Sequence, residues 1–107
     1  MEPISGPDSA RIDLVSVLGA LADPVRLAYV QALAEAEQWM RCGEVLQDSG
    51  KAVAKSTLSH HLRVLREAGL TYTRVDGARR YVSLRRDDLD KQFPGLLDAV
   101  CKRPRES

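Results

Sequence analysis

Cysteine, aromatic residues and long apolar runs are all scarce in this chain. Its 107 residues include two cysteines, Cys42 and Cys101, which lie far apart and outside any CxxC spacing, so no disulfide framework is indicated. Aromatic residues make up only 5% of the chain, so aliphatic side chains have to fill its core. The longest apolar run, residues 14–22, falls well short of the ~20 residues that a membrane helix needs.

The N-terminal residues, MEPISGPDSA, lack the basic start and apolar core of a secretory signal. The length suits one domain, and a hydrophobic share of 44% is enough for a modest core. We therefore expect a soluble, cytoplasmic protein with a flexible N-terminal segment at 1–9, one domain at 10–101 and a C-terminal tail at 102–107.

Charge is unevenly distributed, although the net charge is only +1. Residues 1–50 carry three basic and eight acidic side chains, whereas residues 51–86 carry nine basic and two acidic ones. Residues 87–107 carry four basic and five acidic side chains, so a segment of net charge +7 lies between segments of −5 and −1. Such asymmetry indicates a polyanionic partner for the basic third of the chain.

Hydrophobic periodicity predicts several helices in the first half of the chain. A first helix is expected at about 10–21 with Ser9 as its N-cap. A second helix begins after Asp23, with Pro24 at its first position, where the missing N–H costs nothing. A short third helix is expected at about 43–47.

The fourth predicted helix lies in KSTLSHHLRVLREAGL and ends at Gly69, after which the period changes from 3.6 to 2. Two strand-like runs, TYTRV and RRYVSL, flank Asp76-Gly77, a strong hairpin signal. A last helix at about 87–101 is expected to be interrupted at Pro94. This order predicts a mainly α fold with a β-hairpin wing, that is, a winged helix-turn-helix.

The fourth predicted helix has two unlike faces when its residues are spaced by about 100°. Thr57, His61, Val64 and Ala68 share the inner face with the leucines. The outer face carries Lys55, Ser56, Ser59, His60, Arg63, Arg66 and Glu67. His61 is therefore expected to face the core and donate a hydrogen bond there, whereas His60 faces outward.

This outer face has the residue types that contact duplex DNA. Lysine and arginine neutralise phosphates and hold guanine edges, while serine and histidine reach phosphates or bases. The hairpin is basic as well, with Arg74, Arg79 and Arg80. A solvated helix face is the alternative, but exposed faces usually mix charges of both signs. Two adjacent basic elements make nucleic acid the favoured partner.

Three segments in this order, LADPVRLAYVQAL, STLSHHLRVLREAGL and DGARRYVSL, resemble the ArsR/SmtB family of bacterial winged-helix repressors. The resemblance implies a homodimer that binds a two-fold operator in double-stranded DNA and is released by an unknown signal. It also implies dimerisation through the first and last helices, here about 10–21 and 89–101. The operator contacts that it implies are Lys55, Ser56, Thr57, Ser59 and His60, with Arg63 at a phosphate and with Arg79 and Arg80 at the flanking backbone. From the basic charge of the hairpin, we also expect Arg74 to contact DNA.

Two metal sites of the resembled family are not matched. One uses paired thiolates at positions that Arg41 and Gly43 fill here, with Cys42 between them. The other uses acidic and histidine ligands on the last helix, and no histidine follows His61. We expect no metal and no other cofactor. No assembled nucleophile and base, and no phosphate-binding loop, indicate an enzyme.

Two alternatives stay open. Cys42 and Cys101 could be a redox-sensing pair, with the thiol pKa of Cys42 lowered at a helix N-terminus; the plainer interpretation is two small buried hydrophobic side chains. The other alternative is a winged-helix module that binds a protein and does not read DNA, against which the basic segment argues. Trp39 and Met40 could line a small-molecule pocket or pack in the core or dimer.

Overall fold

The computed structural model describes residues 11–47, 50–51 and 53–101. The elements are α1 (Leu14–Leu21), α2 (Pro24–Ala36), β1 (Met40–Arg41), α3 (Lys55–Glu67), β2 (Thr71–Asp76), β3 (Arg79–Leu84), α4 (Arg86–Gln92) and α5 (Leu96–Cys101). The predicted fold class, mainly helical with a β-hairpin wing, is confirmed. The predicted terminal segments at 1–9 and 102–107 lie outside the described residues, and so does the predicted Ser9 cap.

Helix α1 begins at Leu14, so the predicted start near residue 10 is wrong. Asp13 caps the helix, because its carboxylate accepts hydrogen bonds from the backbone N–H and the hydroxyl of Ser16 at 3.0 and 3.1 Å. Ile12 precedes the helix but is still buried, since it packs against Gly69, where an added Cβ would lie 2.7 Å from the Ile12 side chain.

The predicted start of α2 is confirmed. The Asp23 carboxylate accepts hydrogen bonds from the backbone N–H groups of Val25 and Arg26 at 2.8 and 3.1 Å, and Pro24 holds the first helical position. The helix ends at Glu37, whose backbone has a left-handed φ of 55°.

The predicted third helix is wrong, because residues 42–47 form successive turns. The backbone N–H of Glu44 donates to the carbonyl of Arg41 at 2.9 Å, and that of Gln47 donates to Glu44 at 3.1 Å. These bonds span three residues instead of the four of an α-helix. The core residues of the segment, Cys42, Val45 and Leu46, are spaced like one helix face, which accounts for the misleading periodicity.

Strand β1 was not predicted, because two residues are too few for an alternating pattern to show. It pairs antiparallel with β3, with Arg41 opposite Tyr81. The sheet therefore has three strands in the order β1-β3-β2, whereas the sequence predicted a two-stranded ribbon.

Helix α3 ends at Gly69 as predicted. Gly69 has a φ of 88°, and its N–H donates to the carbonyl of Arg66 at 3.0 Å. The N–H of Leu70 donates to the carbonyl of Leu65, also at 3.0 Å, which completes a Schellman motif with both leucines buried.

The hairpin of β2 and β3, hereafter the wing, turns at Gly77-Ala78 with Asp76 opposite Arg79. Gly77 has a φ of 64°, in agreement with the predicted turn. After the wing, the backbone N–H of Arg85 donates to the carbonyl of Leu70 at 2.9 Å, which ties the end of α3 to the start of α4. The chain then breaks around Pro94 into α4 and α5, as predicted.

The core collects side chains from all the helices and from the inner face of the sheet. Its largest fully buried side chains are Tyr29, Leu33, Leu65, Leu70, Leu89 and Leu97. Within the described ranges, no single helix is long and apolar enough to cross a membrane; α1 and α2 together have the length and composition, but they meet with a bend of 103°.

Candidate nucleic-acid interface

Helix α3 buries one side and exposes the other. His61 and Leu65 are buried, and Leu58, Leu62 and Val64 pack half-buried against the core. Most of the predicted DNA contacts on this helix are exposed: Lys55, Ser56, Ser59, His60 and Arg63. Thr57 is exposed as well, so its predicted place on the inner face is wrong. Residues 54–57 are all exposed, because the first turn of the helix extends past the core.

A groove of about 600 Å³ separates the N-terminal half of α3 from the tip of the wing. Lys55 and Ser59 line it from the helix, with Leu58 and Leu62 at its base. Arg79 and Arg80 line it from the wing, beside Ala78. The two basic elements of the sequence therefore face a common space, in which a chain of phosphates would meet cations from both sides.

The third wall of this groove is the segment 41–44. In the sequence, Arg41 stands out only for its place in a metal-binding pattern, and that pattern does not predict its position in the groove with Lys55. No local signal could have revealed that position, because it depends on the pairing of β1 with β3. Arg41 therefore adds a fourth cation to the groove, next to Lys55, Arg79 and Arg80.

Ser59 uses its hydroxyl proton within the helix. Its Oγ donates to the backbone carbonyl of Lys55 at 3.1 Å. The lone pairs of the oxygen stay free to accept, so Ser59 can receive a hydrogen bond from the amino group of adenine or cytosine without losing its own. His60 is exposed beside it, while the His61 ring lies 5.7 Å away between centroids and is tilted by 51°.

His61 is buried as predicted, but its hydrogen bond has the opposite sense. Arg26 Nη1 lies 3.2 Å from His61 Nδ1. Because a guanidinium can only donate, His61 accepts this bond at Nδ1, whereas the sequence predicted a histidine that donates. Arg26 Nε also donates to the carbonyl of Ala20 at 2.7 Å, so one side chain connects α1, α2 and α3.

Arg74 lies away from the groove, although it is on the wing. Its guanidinium carbon is 4.6 Å from the Trp39 ring centroid and 5.8 Å from that of Tyr81. This is the opposite face of the sheet from the buried Thr71 and Thr73. The stacking explains why Trp39 is half-buried, and it gives Arg74 a packing role. A DNA contact from Arg74 stays a prediction.

The two thiols differ in burial: Cys42 is buried and Cys101 is half-buried. Cys42 is buried, and burial raises the pKa of its thiol; burial also raises the pKa of the Cys101 thiol. The redox alternative required a helix N-terminus to lower the Cys42 pKa, but no helix begins at this residue, and the burial of Cys42 agrees with the plainer interpretation. Its backbone is held on both sides: the N–H donates to the carbonyl of Arg80 and the carbonyl accepts from the Tyr29 hydroxyl, each at 2.9 Å.

The structure gives no sign of a metal centre in the part of the chain that it describes. No group of three or more histidine, cysteine, aspartate or glutamate side chains there could hold a metal ion.

Comparison with known proteins agrees with this geometry. A family model described as a helix-turn-helix domain matches residues 21–71. The uncharacterized HTH-type transcriptional regulator YceK of Bacillus subtilis (strain 168) is 40% identical over 84 residues, which cover 78% of this chain and 82% of YceK. The transcriptional repressor BigR from Xylella fastidiosa is 30% identical, with a TM-score of 0.61 over 84% of this chain and 88% of BigR.

The fold also matches that of the ArsR family transcriptional regulator RHA00566, with a TM-score of 0.62 over 85% of this chain and 93% of that chain, at 19% identity. Three observations lead to the same family: the order of the elements, the basic groove between α3 and the wing, and the sequence identity to YceK and BigR. This chain belongs to the ArsR/SmtB family of winged helix-turn-helix proteins and is a DNA-binding transcriptional regulator.

Proposed function

We propose that the protein is a homodimeric repressor in which each subunit inserts the N-terminal half of α3 into the major groove of an operator. The observation that carries this proposal is the groove in which Lys55 and Ser59 of α3 face Arg79 and Arg80 of the wing. The similarity to BigR, which is described as a transcriptional repressor, supports the direction of regulation.

The roles of the side chains follow from their positions along the helix. The first turns of a recognition helix supply most base contacts, which assigns base readout to Lys55, Ser56, Ser59 and His60. Thr57 is exposed in the same turn and can add a contact through its hydroxyl or methyl group. Arg63 lies one turn later and contacts a phosphate, while Arg79 and Arg80 hold the flanking backbone.

A second copy of this chain would cover the apolar side of α1. Leu14, Val15 and Leu18 are exposed there, and Val15 retains 76% of its accessible surface. Adjacent exposed apolar residues on one helix are typical of an interface between subunits. With α5, this face forms the proposed dimer contact, and the resulting two-fold axis requires an operator with two half-sites about 10 base pairs apart, or a multiple of that spacing.

DNA binding is tested by selecting bound fragments of genomic DNA and then titrating the selected site by fluorescence anisotropy at several salt concentrations. We expect a two-fold site and a steep loss of affinity with salt, with a slope of about −0.9 per phosphate neutralised. Arg79→Gln should weaken binding to selected and random DNA alike, whereas Ser59→Ala or His60→Ala should change the preferred sequence. A wild-type protein that retains no DNA at low salt would exclude the function.

The subunit contact is tested by sedimentation of Val15→Asp. A charge in an apolar contact should dissociate the dimer and weaken binding to the two-fold site much more than binding to a half-site. Val75→Asp is the matched control for sedimentation alone, because Val75 is an exposed valine outside α1 and α5, while its position opposite Arg80 in the wing excludes it as a control for DNA binding. Equal sedimentation of the wild type and Val15→Asp would contradict the proposed contact.

A further inference from the structure

The groove between α3 and the wing contains an ion pair that neither α3 nor the wing supplies. Arg41 Nη1 lies 3.2 Å from Glu44 Oε1, and both side chains are about half exposed, at 49% and 48%. Among the described residues that line the groove, Glu44 is the one acidic side chain, and it lies among Arg41, Lys55, Arg79 and Arg80. The negative charge of Glu44 partly cancels the positive charge that a phosphate backbone would meet in the groove.

The backbone fixes Arg41 to the wing. Arg41 is opposite Tyr81 in the sheet, and the next residue, Cys42, donates its N–H to the carbonyl of Arg80 at 2.9 Å. Arg41 and Arg80 are thus held on neighbouring strands and keep their relative position when the wing meets DNA. Arg41 already lines the groove, so its side chain needs only to exchange Glu44 for a phosphate.

An ion pair between half-exposed side chains is weak, because water and salt screen it. A phosphate offers arginine two oxygens for a bidentate contact and releases counterions from the DNA when it is bound. Exchange of Glu44 for a phosphate is therefore favourable for Arg41.

We propose that Arg41 is a phosphate contact of the DNA complex and that Glu44 pairs with it only while the protein is free of DNA. The proposal rests on the proposed function and extends its contact surface to β1. In the complex Glu44 is left beside the phosphates, so it lowers the affinity for DNA. The ion pair of Arg41 and Glu44 therefore weakens binding to DNA whose phosphates do not fit the groove, because such DNA does not separate Arg41 from Glu44.

The test compares Arg41→Gln with Lys91→Gln in the full-length protein. Both changes remove one positive charge, but Lys91 is exposed on α4 and is not part of the groove lining. Because residues 89–101 belong to the expected dimer surface, both variants should also sediment as the wild type does. We expect Arg41→Gln to make the slope of log affinity against log salt shallower by about 0.9 for each subunit bound. Lys91→Gln should leave the slope unchanged. Thermal unfolding of both variants should match the wild type, because both side chains are exposed.

Glu44→Gln provides the second measurement. It should bind random DNA several-fold more tightly than the wild type, and the gain should be smaller when Glu44→Gln is combined with Arg41→Gln. If Arg41→Gln and Lys91→Gln give equal slopes while the wild type binds DNA, the assignment of Arg41 is overturned and the proposed function stands. If the wild type itself shows no salt-dependent binding, the proposed function fails first.

Discussion

Arg26 Nη1 lies 3.2 Å from His61 Nδ1, and this contact joins the start of α2 to the inner side of the helix that carries the predicted operator contacts. Because arginine donates the bond, the proton of the neutral imidazole is on Nε2. The same guanidinium donates to the carbonyl of Ala20, so the orientation of α3 is coupled to both preceding helices.

His61→Ala should lower the free energy of unfolding by about 1–3 kcal/mol, because it leaves a partly buried charged donor without its partner. His60→Ala is the matched control: the neighbouring histidine is exposed, and its loss should cost less than about 0.5 kcal/mol. Urea denaturation of both variants measures the difference. Equal losses would mean that the bond between Arg26 and His61 contributes nothing to stability.

Gly69→Ala should destabilise the protein for two reasons. The position has a φ of 88°, and an added Cβ would lie 2.7 Å from the Ile12 side chain. Gly77→Ala has a similar backbone penalty at a φ of 64° but no atom within 4 Å of the new Cβ. We expect Gly77→Ala to cost about 1 kcal/mol and Gly69→Ala clearly more. If the two variants unfold at the same urea concentration, Ile12 gives way at no cost.

Arg74 and Arg79 are both on the wing, and we expect them to differ in what they stabilise. Arg74→Gln should reduce thermal stability, since a cation over an aromatic ring contributes on the order of 0.5–2 kcal/mol, and should change the salt slope of DNA binding little. Arg79→Gln should leave the melting temperature unchanged and make the slope shallower. A shallower salt slope for Arg74→Gln at an unchanged melting temperature would instead support a direct DNA contact from Arg74.

The thiols should react slowly at neutral pH. Burial raises the pKa of Cys42 and of Cys101, so the reactive thiolate is less populated than in a free thiol at the same pH. Iodoacetamide should therefore label both thiols more slowly than a free cysteine, as measured by mass spectrometry. The pH at which the labelling rate is half of its maximum should be higher than for a free cysteine. Rapid labelling at pH 7 would favour the redox alternative.

The same shifts give stability a direction with pH. A thiol with a raised pKa in the folded state stabilises the protein fully below the pKa of the unfolded thiol, and this contribution is lost as pH rises through the folded value. Burial also raises the pKa of Tyr29, which adds to the loss at alkaline pH. Cys42→Ser removes the thiol titration, so we expect its stability to fall less than that of the wild type as pH rises from neutral to alkaline, and parallel alkaline melts of the two proteins measure the difference.

Asp23 gives the opposite dependence. The backbone N–H of Arg26, and after it that of Val25, lowers the pKa of the Asp23 carboxyl group. The contribution of this cap to stability is therefore present above the pKa of the unfolded state and is lost as pH falls through the pKa of the folded state. Asp23→Ala should cost about 0.5–2 kcal/mol at pH 7, and Asp23→Asn much less, because asparagine also caps. Acid titration of the three proteins by circular dichroism should show the loss only where aspartate is present.

Local chemistry was enough to predict much of this fold. Pro24 after Asp23, Gly69 after α3 and Gly77 in the wing each meet a backbone requirement that few other residues satisfy, so each marks a boundary without reference to the rest of the chain. The exposed polar face of α3 was predicted for a similar reason, because helical spacing alone separates it from the leucines.

The features that the sequence did not reveal depend on distant partners. Residues 42–47 have helical spacing but form turns, because strand pairing at Arg41 competes with a helix there. The packing of Arg74 against Trp39, 35 positions away, was not predicted, because it depends on a residue outside the wing. The sense of the hydrogen bond of His61 likewise depends on Arg26.

The backbone bond from Arg85 to Leu70 joins the end of α3 to the C-terminal helices. In the proposed dimer, those helices approach the two-fold axis, so a change in how the copies meet can reach α3 through this backbone bond as well as through the contacts of Arg26. A signal could thus release the operator without entering the groove, by altering the distance between the two α3 helices of the dimer. The base-pair spacing of the preferred half-sites would then depend on how the two subunits pack together.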